Sequence, residues 1–81
     1  MNVNVLLFAQ ARQIAAKQQI EIDVPTEATV ADLRKAIEIK FPDLASLLVR
    51  STIAIDQQYA VDSDVIPSGA EVAMIPPVSG G

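Results

Sequence analysis

A single long amphipathic helix is the feature that most limits how this sequence can fold. Thr29 can cap this helix, because Asp32 follows three residues later and can complete a capping box. Pro42 breaks the helical pattern, so we predict a main helix over residues 30–40 and a separate turn of helix after it. The apolar residues of this region recur at steps of three or four and form one stripe: Val30, Leu33, Ile37, Phe41, Leu44 and Leu48.

Most of the remaining segments have the patterns of strands. Residues 3–8 alternate and then become apolar on both sides, which is typical of a strand near the centre of a sheet. Residues 19–24 alternate strictly, which indicates a half-buried strand. Residues 52–55 and 72–75 are short apolar runs, and the second is apolar on both faces and therefore central. The shorter predicted elements are a helix over residues 9–17, a turn over 56–58 and a strand over 59–61.

The order of these elements predicts an α+β domain, with one main helix lying across a mixed sheet. Eighty-one residues leave room for only one core, so we expect one domain. The first and last strands are both predicted to be central and should be neighbours. Because the helix lies in the connection between them, these two strands should run parallel.

Composition excludes most familiar forms of catalysis. The sequence has no cysteine and no histidine, so it cannot form a disulfide framework, a thiol nucleophile or a Ser-His-Asp triad. Its three glycines are Gly69, Gly80 and Gly81, which excludes a glycine-rich phosphate loop. A metal site would have to use carboxylates alone, which is unusual for zinc. We therefore expect a carrier or a subunit, with no metal and no cofactor bound directly.

Charge and hydropathy limit the partners. Six Lys and Arg against ten Asp and Glu give a net charge of −4, which argues against nucleic acid or an anionic membrane as the main partner. The longest apolar run, Val5–Ala9, is far too short to span a bilayer. No Lys or Arg precedes Arg12, so the charged start of a secretory signal is missing. We expect a cytoplasmic protein.

The C-terminal segment is the most informative part for function. It carries no charged side chain and reads Pro76, Pro77, Val78, Ser79, Gly80 and Gly81. The prolines favour an extended exit from the last strand, and glycine, which lacks a Cβ atom, lets the backbone enter a narrow channel. A frayed chain end would also explain a terminal Gly-Gly taken by itself.

This tail and this strand order together resemble the family of molybdopterin synthase small subunits, which are ubiquitin-like β-grasp sulfur carriers. The resemblance covers essentially the whole chain. It rests on VNVLLFAQAR at residues 3–12, TVADLRKAIEIKFP at 29–42 and EVAMIPPVSGG at 71–81. It implies a β-grasp domain over residues 1–75 and a flexible, extended tail over residues 76–81.

The resemblance also implies a chemistry for Gly81. Its carboxylate would be adenylated by an ATP-using enzyme related to ubiquitin E1 and then converted to a thiocarboxylate. The sulfur would attack a cyclic pyranopterin monophosphate in the active site of the large subunit. Two such transfers would form the dithiolene of molybdopterin. The catalytic side chains would belong to the large subunit, and the two kinds of subunit would form a heterotetramer.

The resemblance further implies which residues contact the partners. Arg12 would meet the activating enzyme, although an ordinary solvated helix residue explains it equally well. Positions that are often aromatic on the family's docking surface hold Leu7, Met74 and Ile75 here, although we expect Met74 to be a core residue. The remaining partner-binding residues would be Pro76, Pro77, Val78, Ser79 and Gly80.

A few other residues attract attention. Ile55 and Tyr59 would join Ile75 in an exposed apolar patch beside the tail. Asp62 and Asp64 lack the further ligands of a calcium loop, so we expect turn and cap residues there.

Two other functions stay open. One is a sulfur carrier for thiamine synthesis or tRNA thiolation, or a protein modifier that uses the same Gly81 chemistry. In that case Lys17, Lys35 and Lys40, which are otherwise ordinary solvated lysines, could accept a conjugate. The other is an interaction module whose tail is inert.

Overall fold

In a computed structural model, residues 1–77 are described, and they form a five-stranded mixed sheet with the helices packed on one face. The strands are β1 (Asn2–Leu7), β2 (Gln19–Asp23), β3 (Thr52–Ile55), β4 (Gln58–Ala60) and β5 (Val72–Ile75). The helices are α1 (Gln10–Ala15), α2 (Val30–Lys40) and α3 (Ala45–Val49), with a 3₁₀ turn (Pro42–Leu44) before α3.

The strands lie in the order β2-β1-β5-β3-β4. β1 and β5 run parallel, while the other three pairs are antiparallel. The prediction of an α+β fold with neighbouring, parallel first and last strands is therefore confirmed. β5 occupies the middle of the sheet, so the segment that precedes the tail is held by strands on both sides.

One face of the sheet, together with the helices, forms the core. Because successive side chains of a strand point to opposite faces, β1 places Val3, Val5 and Leu7 against the helices, and all three are buried. β5 contributes Val72 and Met74, which are fully buried. The predicted stripe supplies the helical side of this core, with five of its six residues buried and Phe41 packed at the margin.

The main helix begins and ends where the sequence predicts. Thr29 Oγ1 accepts a hydrogen bond from the Asp32 amide at 3.2 Å, and Asp32 Oδ2 accepts one from the Thr29 amide at 3.0 Å. These two bonds form the capping box, which satisfies amides that have no partner inside the helix. The helix stops at Lys40, before Phe41 and Pro42.

Arg34 connects three segments on the helix-covered side. Its Nη1 and Nη2 atoms each donate a hydrogen bond of 2.7 Å, the first to the Leu48 carbonyl and the second to the Ser51 carbonyl. Its Nε atom lies 3.0 Å from Asp62 Oδ1. One guanidinium group therefore joins α2 to the end of α3 and to the loop after β4.

The β3–β4 hairpin differs from its prediction by one residue. The turn contains only Asp56 and Gln57, whose φ angles are 49° and 69°, and β4 already begins at Gln58. Two left-handed residues match the twist of the flanking strands, but the usual sequence is Asn-Gly or Asp-Gly. Since glutamine has no such preference, the residue types at positions 56 and 57 do not predict a two-residue turn.

Candidate functional site

The sheet face turned away from the helices, here called the open face, is the candidate site. Across its centre, Leu6 pairs with Ala73, Ala73 with Ala54, and Ala54 with Tyr59. β5 and β3 thus contribute alanines, while β1 and β4, which flank them, contribute large side chains. This arrangement leaves a depression in the middle of the open face.

The depression, here called the hollow, has a volume of about 390 Å³. Its walls include large apolar side chains that solvent reaches: Phe8 is 41% exposed and Tyr59 is 78% exposed. Apolar surface of this kind, with polar residues at its margin, is typical of a protein-interaction site. Six apolar residues line the hollow, namely Leu6, Phe8, Ala54, Tyr59, Ala73 and Ile75, together with the polar residues Gln57 and Glu71.

The chain leaves the sheet at the rim of the hollow. Ile75 ends β5, pairs with Thr52 and lines the hollow. Pro76 is half-buried and Pro77 is exposed, and neither has an amide hydrogen with which to continue the strand pairing. The tail thus begins beside the open face.

Four of the predicted site residues lie outside the described part of the chain. They are Val78, Ser79, Gly80 and the predicted sulfur-bearing residue Gly81. Their roles stay predictions, and the structure places only the start of the tail.

Arg12 lies at the same end of the open face as Ile75. Its Nε atom donates a 3.4 Å hydrogen bond to the Leu7 carbonyl, and its guanidinium carbon is 6.0 Å from the centre of the Phe8 ring. A cation at this distance is attracted to the face of the ring. Since Phe8 and Ile75 line one hollow, the structure brings Arg12 close to the site.

Two predictions about the docking surface are wrong. Leu7 is fully buried in the core, and Ile55 packs against that core. Met74 is also fully buried, which confirms its expected place in the core. Of the predicted apolar patch, Tyr59 and Ile75 are on the open face, where Leu6 and Phe8 accompany them. The alternation of β1 could have identified both missed residues, because burial of Val3 and Val5 places every even-numbered residue on the open face.

The other candidates have structural roles. Asp64 Oδ2 accepts a 2.9 Å hydrogen bond from the Val61 amide, and Asp62 pairs with Arg34, which confirms the expected turn and cap residues. Lys40 donates a 2.9 Å hydrogen bond to the Glu21 carbonyl on the outer edge of β2.

Residues 1–77 contain neither a membrane-spanning helix nor a cluster of metal-binding side chains. None of the helices there is both long and apolar enough to cross a membrane. The same residues hold no group of three or more acidic side chains placed to bind a metal ion.

Comparison with solved structures confirms the predicted ubiquitin-like β-grasp fold. SAMP1 from Haloferax volcanii has a TM-score of 0.88 and 27% identity, with all of both chains covered. The Helicobacter pylori complex of subunits 1 and 2 of molybdopterin-converting factor has a TM-score of 0.70 and 23% identity, again over both whole chains. At that identity the second likeness shows the fold alone.

Comparison of sequences extends the likeness to the tail. A molybdopterin synthase sulfur carrier subunit from Dictyostelium discoideum is 40% identical over 80 residues, which is 95% of this chain and 93% of the relative. The ThiS family model matches residues 5–81, a range that includes the second half of β1, all residues that line the hollow and the whole Pro-Pro-Val-Ser-Gly-Gly segment. The chain therefore belongs to the ThiS family.

Proposed function

We propose that this chain is the sulfur-carrier small subunit of a molybdopterin synthase, with sulfur carried on the carboxyl group of Gly81. The observation that carries the proposal is the start of the tail at the rim of an exposed apolar face. A partner that covers this face would receive the tail in a defined direction. The full-length relatives that bear this subunit name support the same assignment.

The activation of Gly81 follows from the chemistry of carboxylates. A carboxylate is a poor electrophile because its leaving group would be oxide. Reaction with ATP joins the carboxylate to AMP and releases pyrophosphate, and AMP is a good leaving group. A sulfur nucleophile then displaces AMP, and the resulting thiocarboxylate is ionised at neutral pH and is strongly nucleophilic. ATP is used by the activating enzyme, which is related to ubiquitin E1, and this chain binds no cofactor.

The acceptor step takes place on the large subunit. The thiocarboxylate sulfur attacks a side-chain carbon of the cyclic pyranopterin monophosphate and forms a carbon–sulfur bond. The carbon–oxygen bond at that carbon breaks, and its oxygen leaves as water or stays on the phosphate. Water then cleaves the bond between sulfur and the Gly81 acyl carbon, which leaves sulfur on the pterin and returns the carboxylate. Two such transfers supply the two sulfurs of the dithiolene. The large subunit provides the catalytic side chains, which is consistent with a chain that has neither histidine nor cysteine.

The open face and the tail are the docking elements in this proposal. The large subunit covers the hollow and admits Pro76, Pro77 and the residues after them into its active site, within a heterotetramer in the cytoplasm. The Helicobacter pylori structure, a complex of subunits 1 and 2, supports a partner of this kind. Arg12 contacts the activating enzyme at the tail end of the same face.

Intact mass measurement tests the proposal. The purified chain is incubated with a candidate activating enzyme, ATP and a sulfur source. We expect a mass gain equal to the exchange of one oxygen for one sulfur, located at Gly81. A chain with one residue added after Gly81 should stay unmodified. An unmodified natural chain, while the same enzyme modifies a known substrate alongside, would contradict the proposal for that pathway.

A second candidate function is protein modification. It is favoured by the close likeness to SAMP1 and to a structure named small archaeal modifier protein 1, which has a TM-score of 0.85 and 25% identity. Here a lysine amine, in place of sulfur, would displace AMP and form an isopeptide bond. Covalent conjugates that survive both denaturant and thiol would identify this function, whereas sulfur transfer alone would exclude it.

A further inference from the structure

We propose that the hollow receives one lysine or arginine side chain of the large subunit, with its apolar stem on Ala54 and Ala73 and its cationic head at Glu71. This inference rests on the proposed function and names one contact through which the large subunit docks.

The shape of the hollow suits a single long side chain. Its floor is formed by Ala54 of β3 and Ala73 of β5, whose methyl groups are the only side-chain atoms over the backbone at that point. Leu6 and Tyr59 rise on opposite sides of that floor. An apolar channel of this form accepts a flexible aliphatic stem, and the stems of lysine and arginine commonly lie along apolar surface while their charged heads stay in water.

A fixed carboxylate-bearing residue lies at one end of this channel. The Glu71 amide donates a 2.9 Å hydrogen bond to Asp56 Oδ1, and the Glu71 carbonyl accepts one of 2.8 Å from the Asp56 amide. The backbone that carries the carboxylate is therefore held on both sides. Glu71 also lines two smaller depressions beside the hollow, one of which includes Asn4.

A partner that covers the hollow would also cover the Glu71 carboxylate, which is exposed to solvent in the free chain. The one salt bridge found within residues 1–77 joins Arg34 to Asp62 and does not involve Glu71. Residues 78–81 have no basic side chain either. An apolar partner group would strip water from this carboxylate and leave it unpaired, which is costly. A lysine or arginine satisfies both the apolar floor and the charge.

The position of Glu71 means that this contact also orients the partner along β5. Glu71 precedes β5, whereas Ile75 ends it and leads into the tail. Four steps along a strand separate the two ends by about 13 Å. An ion pair at the Glu71 end fixes the partner in one orientation, so that the active site lies over the tail end.

The test compares four variants, all with a preformed thiocarboxylate, so that no activating enzyme is needed. The chains are made as intein fusions and released with sulfide. Glu71→Gln removes the charge, Glu71→Lys reverses it, and Ala73→Leu fills the channel. Glu21→Gln is the matched control, because Glu21 is an exposed carboxylate that pairs with Asn4 on the same sheet and does not line the hollow.

Calorimetric titration with the large subunit gives the dissociation constant at low and high salt, and thermal melting verifies the fold. We expect Glu71→Gln to weaken binding about tenfold and to reduce its salt dependence, with a larger loss for Glu71→Lys. Ala73→Leu should also lose about tenfold or more, since hot spots are well-packed pockets. Glu21→Gln should bind like the unchanged chain. If Ala73→Leu does not fold, the dissociation constant of Glu71→Gln decides the test.

Three results would overturn the inference, and they are distinguishable. Unchanged affinity in both Glu71 variants would show that no cation binds there, while the proposed function stands. Normal binding of Glu71→Gln to the large subunit, combined with slower adenylation of its free carboxylate form in a separate assay with the activating enzyme and ATP, would show that the activating enzyme is the occupant. Failure of the unchanged thiocarboxylated chain to bind the large subunit would contradict the proposed function and, with it, this inference.

Discussion

The two faces of the sheet are made from alternate residues of the same strands, yet they have different tasks. Leu7 is fully buried under the helices, while its neighbour Leu6 lines the hollow on the open face. Both are leucines, so residue type does not distinguish the faces. The position of a residue within the strand decides whether a substitution changes the free energy of unfolding or the affinity for a partner.

The connections of the two faces differ as well. The helix-covered side is tied by Arg34, whose guanidinium joins two carbonyls and a carboxylate. The open face ends at the β3–β4 turn, where Gln57 has a left-handed backbone that a side chain disfavours. The contacts that stabilise the fold are therefore concentrated on the helix-covered side, whereas the open face retains side chains that contribute little to folding.

The largest effect should come from the paired substitutions Leu7→Ala and Leu6→Ala. Leu7→Ala removes a fully buried side chain and should lower the free energy of unfolding by about 2–5 kcal/mol. Leu6→Ala should cost less than about 1 kcal/mol, because the residue is half-buried and faces no helix. Urea denaturation measures both values. Equal losses of unfolding free energy in the two variants would show that both faces contribute equally to stability.

The next largest effect should come from Arg34→Lys. An ammonium group cannot donate to the Leu48 and Ser51 carbonyls and pair with Asp62 in the planar geometry of guanidinium. We expect a loss of about 2 kcal/mol, since buried carbonyls lose charged donors. Arg50→Lys, at the exposed end of α3, is the control and should be nearly neutral. An unchanged free energy of unfolding in Arg34→Lys would show that the three contacts of this guanidinium group do not stabilise the fold.

A smaller effect, on binding, is expected from Phe8→Ala. Its ring is exposed on the open face, so the chain should bind the large subunit about tenfold more weakly, while its unfolding free energy changes little. Val49→Ala is the control, because Val49 is 81% exposed on α3 and away from the open face. Surface plasmon resonance measures both affinities. Similar affinities of the two variants would place the docking surface elsewhere.

The smallest effect should be a gain in stability from Gln57→Gly. Glycine adopts the left-handed backbone of this turn position without strain, so the variant should be more stable by up to about 1 kcal/mol. Gln58→Gly, one residue later in β4, should instead destabilise the fold. Thermal unfolding distinguishes the two. A change of the same sign in both variants would contradict the assigned turn.

The sequence predicted the elements whose signals are local. The capping box at Thr29, the break at Pro42 and the strict alternation of β2 each identified an element. Placement of β1 beside β5 followed from their apolar composition and from the helix in the connection between them. Such features can be predicted from neighbouring residues in the chain or from simple rules of topology.

The sequence did not reveal features that depend on distant contacts or on strand phase. The run Val5-Leu6-Leu7-Phe8 is apolar at every position, so only the phase set by Asn2 and Asn4 earlier in the strand distinguishes the residues that face the helices. The two-residue turn depends on Asp56, whose side chain accepts a hydrogen bond from the Glu71 amide fifteen residues away. The tie made by Arg34 likewise joins residues 14 and 17 positions apart.

The parallel pairing of β1 and β5 has a mechanical consequence. If force pulls the tail away from the N-terminus, the strands slide along each other, and the pairs Val5–Val72, Leu6–Ala73 and Leu7–Met74 bear the load together. A hairpin such as β3–β4, pulled at its open end, separates one pair at a time. Single-molecule stretching along the first direction should therefore need the larger force. A pull on the segment after Ile75 is therefore resisted by the middle of the sheet in its strongest direction.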